Sequence, residues 1–140
     1  MANDRIIVAY FDDFVDAFRT FSGDRIAAKF AVPYLVKGEA GKSQVFDSQA
    51  QVSRYFQGYL DEYRSLGCSQ CHYGNLAVTW LGSECALASV DWRLLDSSGR
   101  AVIAWSESYL LSVIDQQVLA FASIDHVGVQ VSDCEAGQSG

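Results

Sequence analysis

The sequence predicts an α+β domain: a curved antiparallel sheet wrapped on three helices of the N-terminal half, forming a cone-shaped barrel with a pocket. Three observations carry this prediction. Apolar residues recur at helical spacing through the first half of the chain. One small hairpin interrupts that half, and long strand-like runs parted by short polar turns fill the second. A sheet curled over helices leaves a hollow between them, and a hollow can hold a small molecule.

The first helix is read over residues 4–20, where Ile7, Phe11, Phe14, Phe18 and Phe21 recur every three or four positions. Asp12, Asp13, Asp16 and Arg19 occupy its other side. Ser22-Gly23-Asp24 breaks that helix and caps a shorter one over 24–30, with Asp24 in the first turn, where the dipole favours an acid. Pro33 is expected to stop the second helix, because Val32 before it is pushed towards extended geometry. Tyr34-Leu35-Val36 and Gln44-Val45-Phe46 form the hairpin, turning at Gly38-Glu39-Ala40-Gly41.

Ser48 and Gln51 have the spacing of a capping box at the start of the third helix. Val52, Phe56, Tyr59, Tyr63 and Leu66 line one face of it, and Gly67 suits the left-handed residue that ends it. Four strands follow, over 71–81, 85–96, 101–114 and 118–126. Their short connections force antiparallel neighbours. A single domain over 1–128 and a flexible tail over 129–140 complete the expected organisation.

Half of the 140 residues are apolar, enough to build a core without disulfides or structural metal. Ten Lys and Arg stand against seventeen Asp and Glu, a net charge of −7, with both signs scattered. Such a chain repels phosphate backbones and anionic lipid, so neither nucleic acid nor membrane is expected as a partner. No apolar run approaches the roughly 18–20 residues that cross a bilayer. The start, Met1-Ala2-Asn3-Asp4-Arg5, leads into a charged amphipathic pattern, and a soluble cytoplasmic protein is the expectation.

Cys68-Ser69-Gln70-Cys71-His72 spells the C-x-x-C-H pattern of covalent haem attachment. The context opposes it. Met1 is the sole methionine, so the usual thioether ligand is missing, although His126 stands as a conceivable substitute. Cys85 and Cys134 are isolated and give zinc no second close pair. The pair also follows a helix C-terminus, where the dipole opposes thiolate. The reading is two reduced thiols in a helix-to-strand turn, with no metal and no cofactor.

Residues 14–24 with their Ser22-Gly23-Asp24 junction, then Pro33-Tyr34-Leu35-Val36, carry one half of a family resemblance. Val90-Asp91-Trp92-Arg93-Leu94, the Gly99 turn and Ser108-Tyr109-Leu110-Leu111 carry the other. Together they resemble the nuclear transport factor 2-like superfamily, which includes polyketide cyclase-like proteins and ketosteroid isomerase. The resemblance spans residues 4–126 and implies a cystatin-like α+β cone that commonly dimerises through the outer face of its sheet. It also implies positions for the isomerase machinery. The general-base aspartate falls at Gly38, after Lys37 and before Glu39 of the turn. The oxyanion-hole tyrosine falls near Phe14 or Asp16. The buried acid of the long strand has its counterpart in Glu107. One match in three does not support steroid isomerisation.

Strand alternation puts Ile103, Trp105, Glu107, Tyr109, Leu111 and Val113 on one side of the longest strand, and this larger, more apolar set is assigned to the concave face. Glu107 is the anomaly, a carboxylate between two aromatic rings. Desolvation there would raise its pKa and make it a candidate catalytic acid or base. Equally, it reads as a hydrogen-bond partner in the wall of the fold. Trp92, Trp105, Tyr109, Tyr59 and Phe18 are the candidate ligand-contacting residues, Trp92 reading as readily as core. Tyr59 lies centrally on its apolar stripe, so its ring is expected to be buried. Asp125 and His126 should point to opposite faces of their strand, and neither histidine has the neighbours of a metal site.

Two functions follow. The first is a small-molecule-binding domain for an unidentified small apolar molecule, with Glu107 and a tyrosine as polar contacts and an isomerase- or cyclase-type reaction that needs no cofactor. The alternative is a non-catalytic assembly domain whose cone is filled by its own side chains. In both, a homodimer forms through the outer sheet face, where Leu87, Leu95 and Leu110 fit an isologous contact.

Overall fold

The computed structural model describes residues 3–129 and 131. Helix α1 (Asp4–Phe18) begins where the Asn3 side chain accepts the Arg5 N–H at 2.9 Å. Its buried face carries the expected Ile7, Phe11, Phe14 and Phe18, together with Tyr10 and Ala17. The Tyr10 hydroxyl donates to the Lys29 carbonyl at 2.7 Å, which satisfies it in the core. Both α1 and α2 (Gly23–Ala27) end sooner than their spacing predicted. Ser22 caps α2 by accepting the Arg25 N–H.

Gly23 packs directly on the backbone of α3 (Gln49–Ser65). A Cβ there would overlap the Ser53 carbonyl oxygen and crowd Gln57, whose Oε1 accepts the Gly23 N–H at 2.7 Å. Gly23→Ala is therefore expected to destabilise the fold by about 1–3 kcal/mol, since a backbone cannot rotate out of the way. A melting temperature equal to that of the parent would contradict this contact.

Pro33 does not end a helix. Helix α2 stops at Ala27, and strand β1 (Phe30–Lys37) contains the proline. Proline has no N–H for a ladder, and the pairing of β1 with β6 (Gln117–Asp125) is interrupted between Phe30 and Leu35. A short 3-10 turn, Glu39–Gly41, leads from β1 into β2 (Ser43–Phe46). Helix α3 opens on the Ser48–Gln51 capping box, and Gly67 just past its end has a φ of +89°. Strands β3 (Gln70–Trp80), β4 (Cys85–Leu95), β5 (Ala101–Ile114) and β6 then follow as antiparallel neighbours.

The six strands form one curved sheet in the order β2-β1-β6-β5-β4-β3. Two features differ from the expected antiparallel barrel. Strands β1 and β6 run parallel, which the long chain between them permits. Strands β2 and β3 remain edges, so the sheet does not close. Helix α1 is tied to β3 by two side-chain bonds: Tyr73 Oη donates to Asp12 at 2.7 Å, and Trp80 Nε1 donates to Asp4 at 2.7 Å. On β4, Ala86, Ala88, Val90, Trp92 and Leu94 are buried towards the helices. Leu87, Leu95 and Leu110 are half-buried on the other face. Among the described residues no helix is long and apolar enough to cross a membrane. Apart from Val129 and Val131, the expected tail over 129–140, Cys134 included, lies outside the described residues.

Candidate functional site

Between the concave face of the sheet and helices α1 and α3 lies a cavity of about 420 Å³. That is within the range of roughly 300–1,000 Å³ usual for small-molecule sites. Its deep wall is apolar and aromatic: Phe14, Phe18, Tyr34, Trp92 and Tyr109 are all buried. Its mouth carries Glu39, Tyr59, Asp125, Val127 and Gly128, all exposed. Glu107 sits between, half-buried.

The geometry around Glu107 follows from strand alternation. Trp105, Glu107 and Tyr109 share one face of β5, so both rings flank the carboxylate. Trp105 Nε1 donates to Glu107 Oε1 at 2.9 Å, and Tyr109 Oη donates to the same oxygen at 3.0 Å. An indole N–H can only donate, and Trp92 Nε1 gives its proton to Tyr109 Oη at 2.9 Å. The Tyr109 proton is thereby left for Glu107, and the chain of donors has one direction. From β6, Ser123 also bonds Glu107 and shares a proton with Tyr34 Oη at 2.5 Å.

Burial pushes the Glu107 carboxyl up, the neighbouring Asp125 charge adds to the rise, and the hydrogen bonds from Trp105, Tyr109 and Ser123 oppose it. The net effect brings it from the ordinary 4.5 to about 7. Burial also raises Asp125, against the pull of His126. Tyr34, Tyr55, Tyr63 and Tyr109 are all pushed up by desolvation, so their hydroxyls stay protonated and able to donate at neutral pH. A carboxyl poised near neutrality, held by fixed donors and open to a cavity, can accept or deliver one proton.

Asp125 is the residue that reasoning from sequence left out of the site. Strand β6 pairs with β5 in one register up to Leu111↔Ala120 and in another from Leu110↔Ala122 onwards, leaving Phe121 as a bulge. The extra residue turns Ser123 and Asp125 to the concave face, directly opposite Tyr109 and Glu107. As expected, His126 points the other way, and its Nε2 lies 2.6 Å from Ser108 Oγ on the convex side. A Cβ on Gly38 would come within 3.8 Å of Asp125 Oδ2, so the β6 carboxylate stands beside the end of β1.

The structure brings Glu107, Trp92, Trp105, Tyr109, Tyr59 and Phe18 around this one cavity. Trp92, 2% exposed, is its floor, packed against Phe11 and Phe14 with ring centroids 6.1 and 5.2 Å apart. Tyr59 corrects the expectation of a buried ring, being 42% exposed. The inward stripe of α3 runs through Val52 and Leu60, which turns Tyr59 to the mouth, beside Tyr55 and Tyr63. Glu39 belongs to the turn, as read from the sequence, yet also lines the mouth. Cys68 and Cys71 are buried and unbridged, and burial pushes the Cys71 thiol up to about 12.

This architecture, a curved open sheet over three helices with a cavity on its concave side, defines the class. The family model for NTF2-like protein (DUF6841) matches residues 3–125, and the chain belongs to that family. No curated protein matches it significantly. An NTF2-like protein of unknown function from Shewanella oneidensis is similar at a TM-score of 0.69 and 13% identity, over 86% of this chain and 96% of that one. A domain of unknown function with a cystatin-like fold from Nostoc punctiforme gives 0.67 at 16% identity, over 99% and 85%. A ketosteroid isomerase-like protein from Erwinia carotovora gives 0.64 at 11% identity, over 89% and 96%. At these identities the likeness concerns the fold alone.

Proposed function

We propose that the chain is a small-molecule-binding domain that holds a small, largely apolar compound in the concave cavity and moves a proton on it through Glu107, without a cofactor. The observation that carries this reading is the placement of Glu107. It is a half-buried carboxyl with two hydrogen-bond donors fixed on Oε1, beside open volume that the aromatic residues do not fill. Isomerisation or cyclisation fits best, because either needs one group to take and return a proton in a water-poor site. The alternative of a cone packed shut is disfavoured by the cavity itself.

The test is a thermal-shift screen of ring compounds against the parent chain and Glu107→Gln, followed by turnover of any hit. Turnover should fall by about 10²–10⁴ in the variant, the usual contribution of a positioned acid or base, a loss well beyond any weakening of binding. Equal turnover in both chains would remove Glu107 from the chemistry.

Self-association through the convex face is proposed as a second feature. Both long helices pack on the concave side, and Leu87, Leu95 and Leu110 stay half-buried on the uncovered one. A monomer in sedimentation at micromolar concentration would count against it.

A further inference from the structure

Carboxyl groups predominate among the ionisable groups around the cavity. Its wall carries the carboxyl groups of Glu39, Glu107 and Asp125, and among the described residues no Lys or Arg lines it. His126, at the rim, has its ring engaged with Ser108 on the far side of the sheet. Facing the acids is a continuous run of rings from α3 onto β5. Tyr55 and Tyr59 have centroids 5.2 Å apart, Tyr59 and Tyr63 5.9 Å, and Tyr63 stacks on Trp105 at 6.0 Å. Trp105 in turn donates to Glu107, so the run of rings ends on the carboxyl itself.

We propose that the ligand is an organic cation, an amine or quaternary ammonium group on an apolar skeleton. Its charge would lie by the paired Glu107 and Asp125, with Glu39 adding its charge at the mouth, and its skeleton against the Tyr55–Tyr59–Tyr63–Trp105 wall. This rests on the reading of the cavity as a ligand site and specifies what it takes. Ring faces carry negative potential and attract a cation, most strongly where water is excluded. The carboxylates add a full opposite charge, which a neutral ligand leaves unused and an anionic one meets as repulsion. A metal ion would be a different occupant, and the geometry disfavours it: among the described residues no three His, Cys, Asp or Glu side chains come together as ligands. The net charge of −7 works in the same direction, drawing cations to the surface.

The experiment uses one phenylbutyl skeleton with three terminal groups: a primary amine, an alcohol and a carboxylate. Each is titrated calorimetrically into the full chain at low ionic strength and about pH 8, where carboxyls are ionised and the amine is protonated. The amine should bind at least about tenfold more tightly than the alcohol, and the carboxylate most weakly. In Asp125→Asn and in Glu39→Gln, both at the exposed mouth and so the substitutions least disruptive to folding, the preference for the amine should shrink by about threefold or more each. The alcohol should hold its affinity in both variants. If the alcohol matches the amine, or the carboxylate binds best, the cation assignment falls while the cavity stands as a ligand site. If none of the three binds, the ligand-site reading falls and takes the assignment with it.

Discussion

Glu107→Gln should make the protein more stable at about pH 8 while removing the proton transfer proposed for this residue. A carboxyl whose pKa rises on folding is penalised whenever it must ionise inside the fold. Between pH 4.5 and about 7 the folded chain keeps a proton on Glu107 that the unfolded chain gives up. Stability therefore falls as pH rises through that window and levels off above it. The rise from 4.5 to about 7 corresponds to a loss of about 3 kcal/mol, at about 1.4 kcal/mol per pH unit. Glutamine has the same shape and keeps an oxygen for Trp105 and Tyr109, but carries no charge to bury.

The groups facing Glu107 are Tyr109 on its own strand, Asp125 and Ser123 on β6, Tyr34 on β1, and Tyr55 and Tyr63 on α3. The tyrosines stay neutral throughout. Asp125 is itself raised and titrates with the same sign, with His126 beside it. The difference between parent and variant reports Glu107 together with its coupling to Asp125. Urea denaturation at about pH 5 and pH 8 should show a variant close to the parent at the lower value and more stable at the higher by up to about 3 kcal/mol. A constant difference across pH would mean that Glu107 titrates as it does in the unfolded chain.

Trp92→Ala should cost about 3–5 kcal/mol, the range for deleting a large buried aromatic side chain. The indole packs on Phe11, Phe14, Tyr73 and Trp105 as well as supporting Tyr109. Trp92→Phe divides the two roles, keeping most of the ring contact while removing the Nε1–H. Tyr109 Oη then loses its donor in a buried place, a change worth about 1–3 kcal/mol. Its own proton is no longer directed towards Glu107, so the Glu107 midpoint should rise further in that variant. Chemical denaturation of both variants checks the first effect, and a loss below about 1 kcal/mol for Trp92→Ala would contradict the placement of the indole at the core.

Much of this arrangement was legible in the sequence because it depends on local periodicity. The capping box at Ser48 and Gln51, the left-handed Gly67 and the full extent of β5 are set by residues close in the chain. The face shared by Trp105, Glu107 and Tyr109 needs only the two-residue alternation of a strand. What was not legible depends on register between distant segments. The bulge at Phe121 has no glycine to announce it, and Ala122 and Ser123 beside it are small enough to suit either face. Yet that bulge is what turns Asp125 towards Glu107. In the same way, nothing local to Pro33 distinguishes a helix stop from a strand residue placed where the β1–β6 ladder is interrupted. Tyr59 went astray because a helical stripe is wider than the surface it packs on, and its edge can face a cavity mouth instead of the core.

The most direct measurement is a carbon NMR titration of the side-chain carboxyl groups, with the Glu107 resonance assigned by its disappearance in Glu107→Gln. A midpoint near 7 is expected, reflecting a carboxyl withdrawn from water, with the hydrogen bonds from Trp105 and Tyr109 offsetting part of the rise. A midpoint near the ordinary 4.5 would place Glu107 in water and contradict the proposed site.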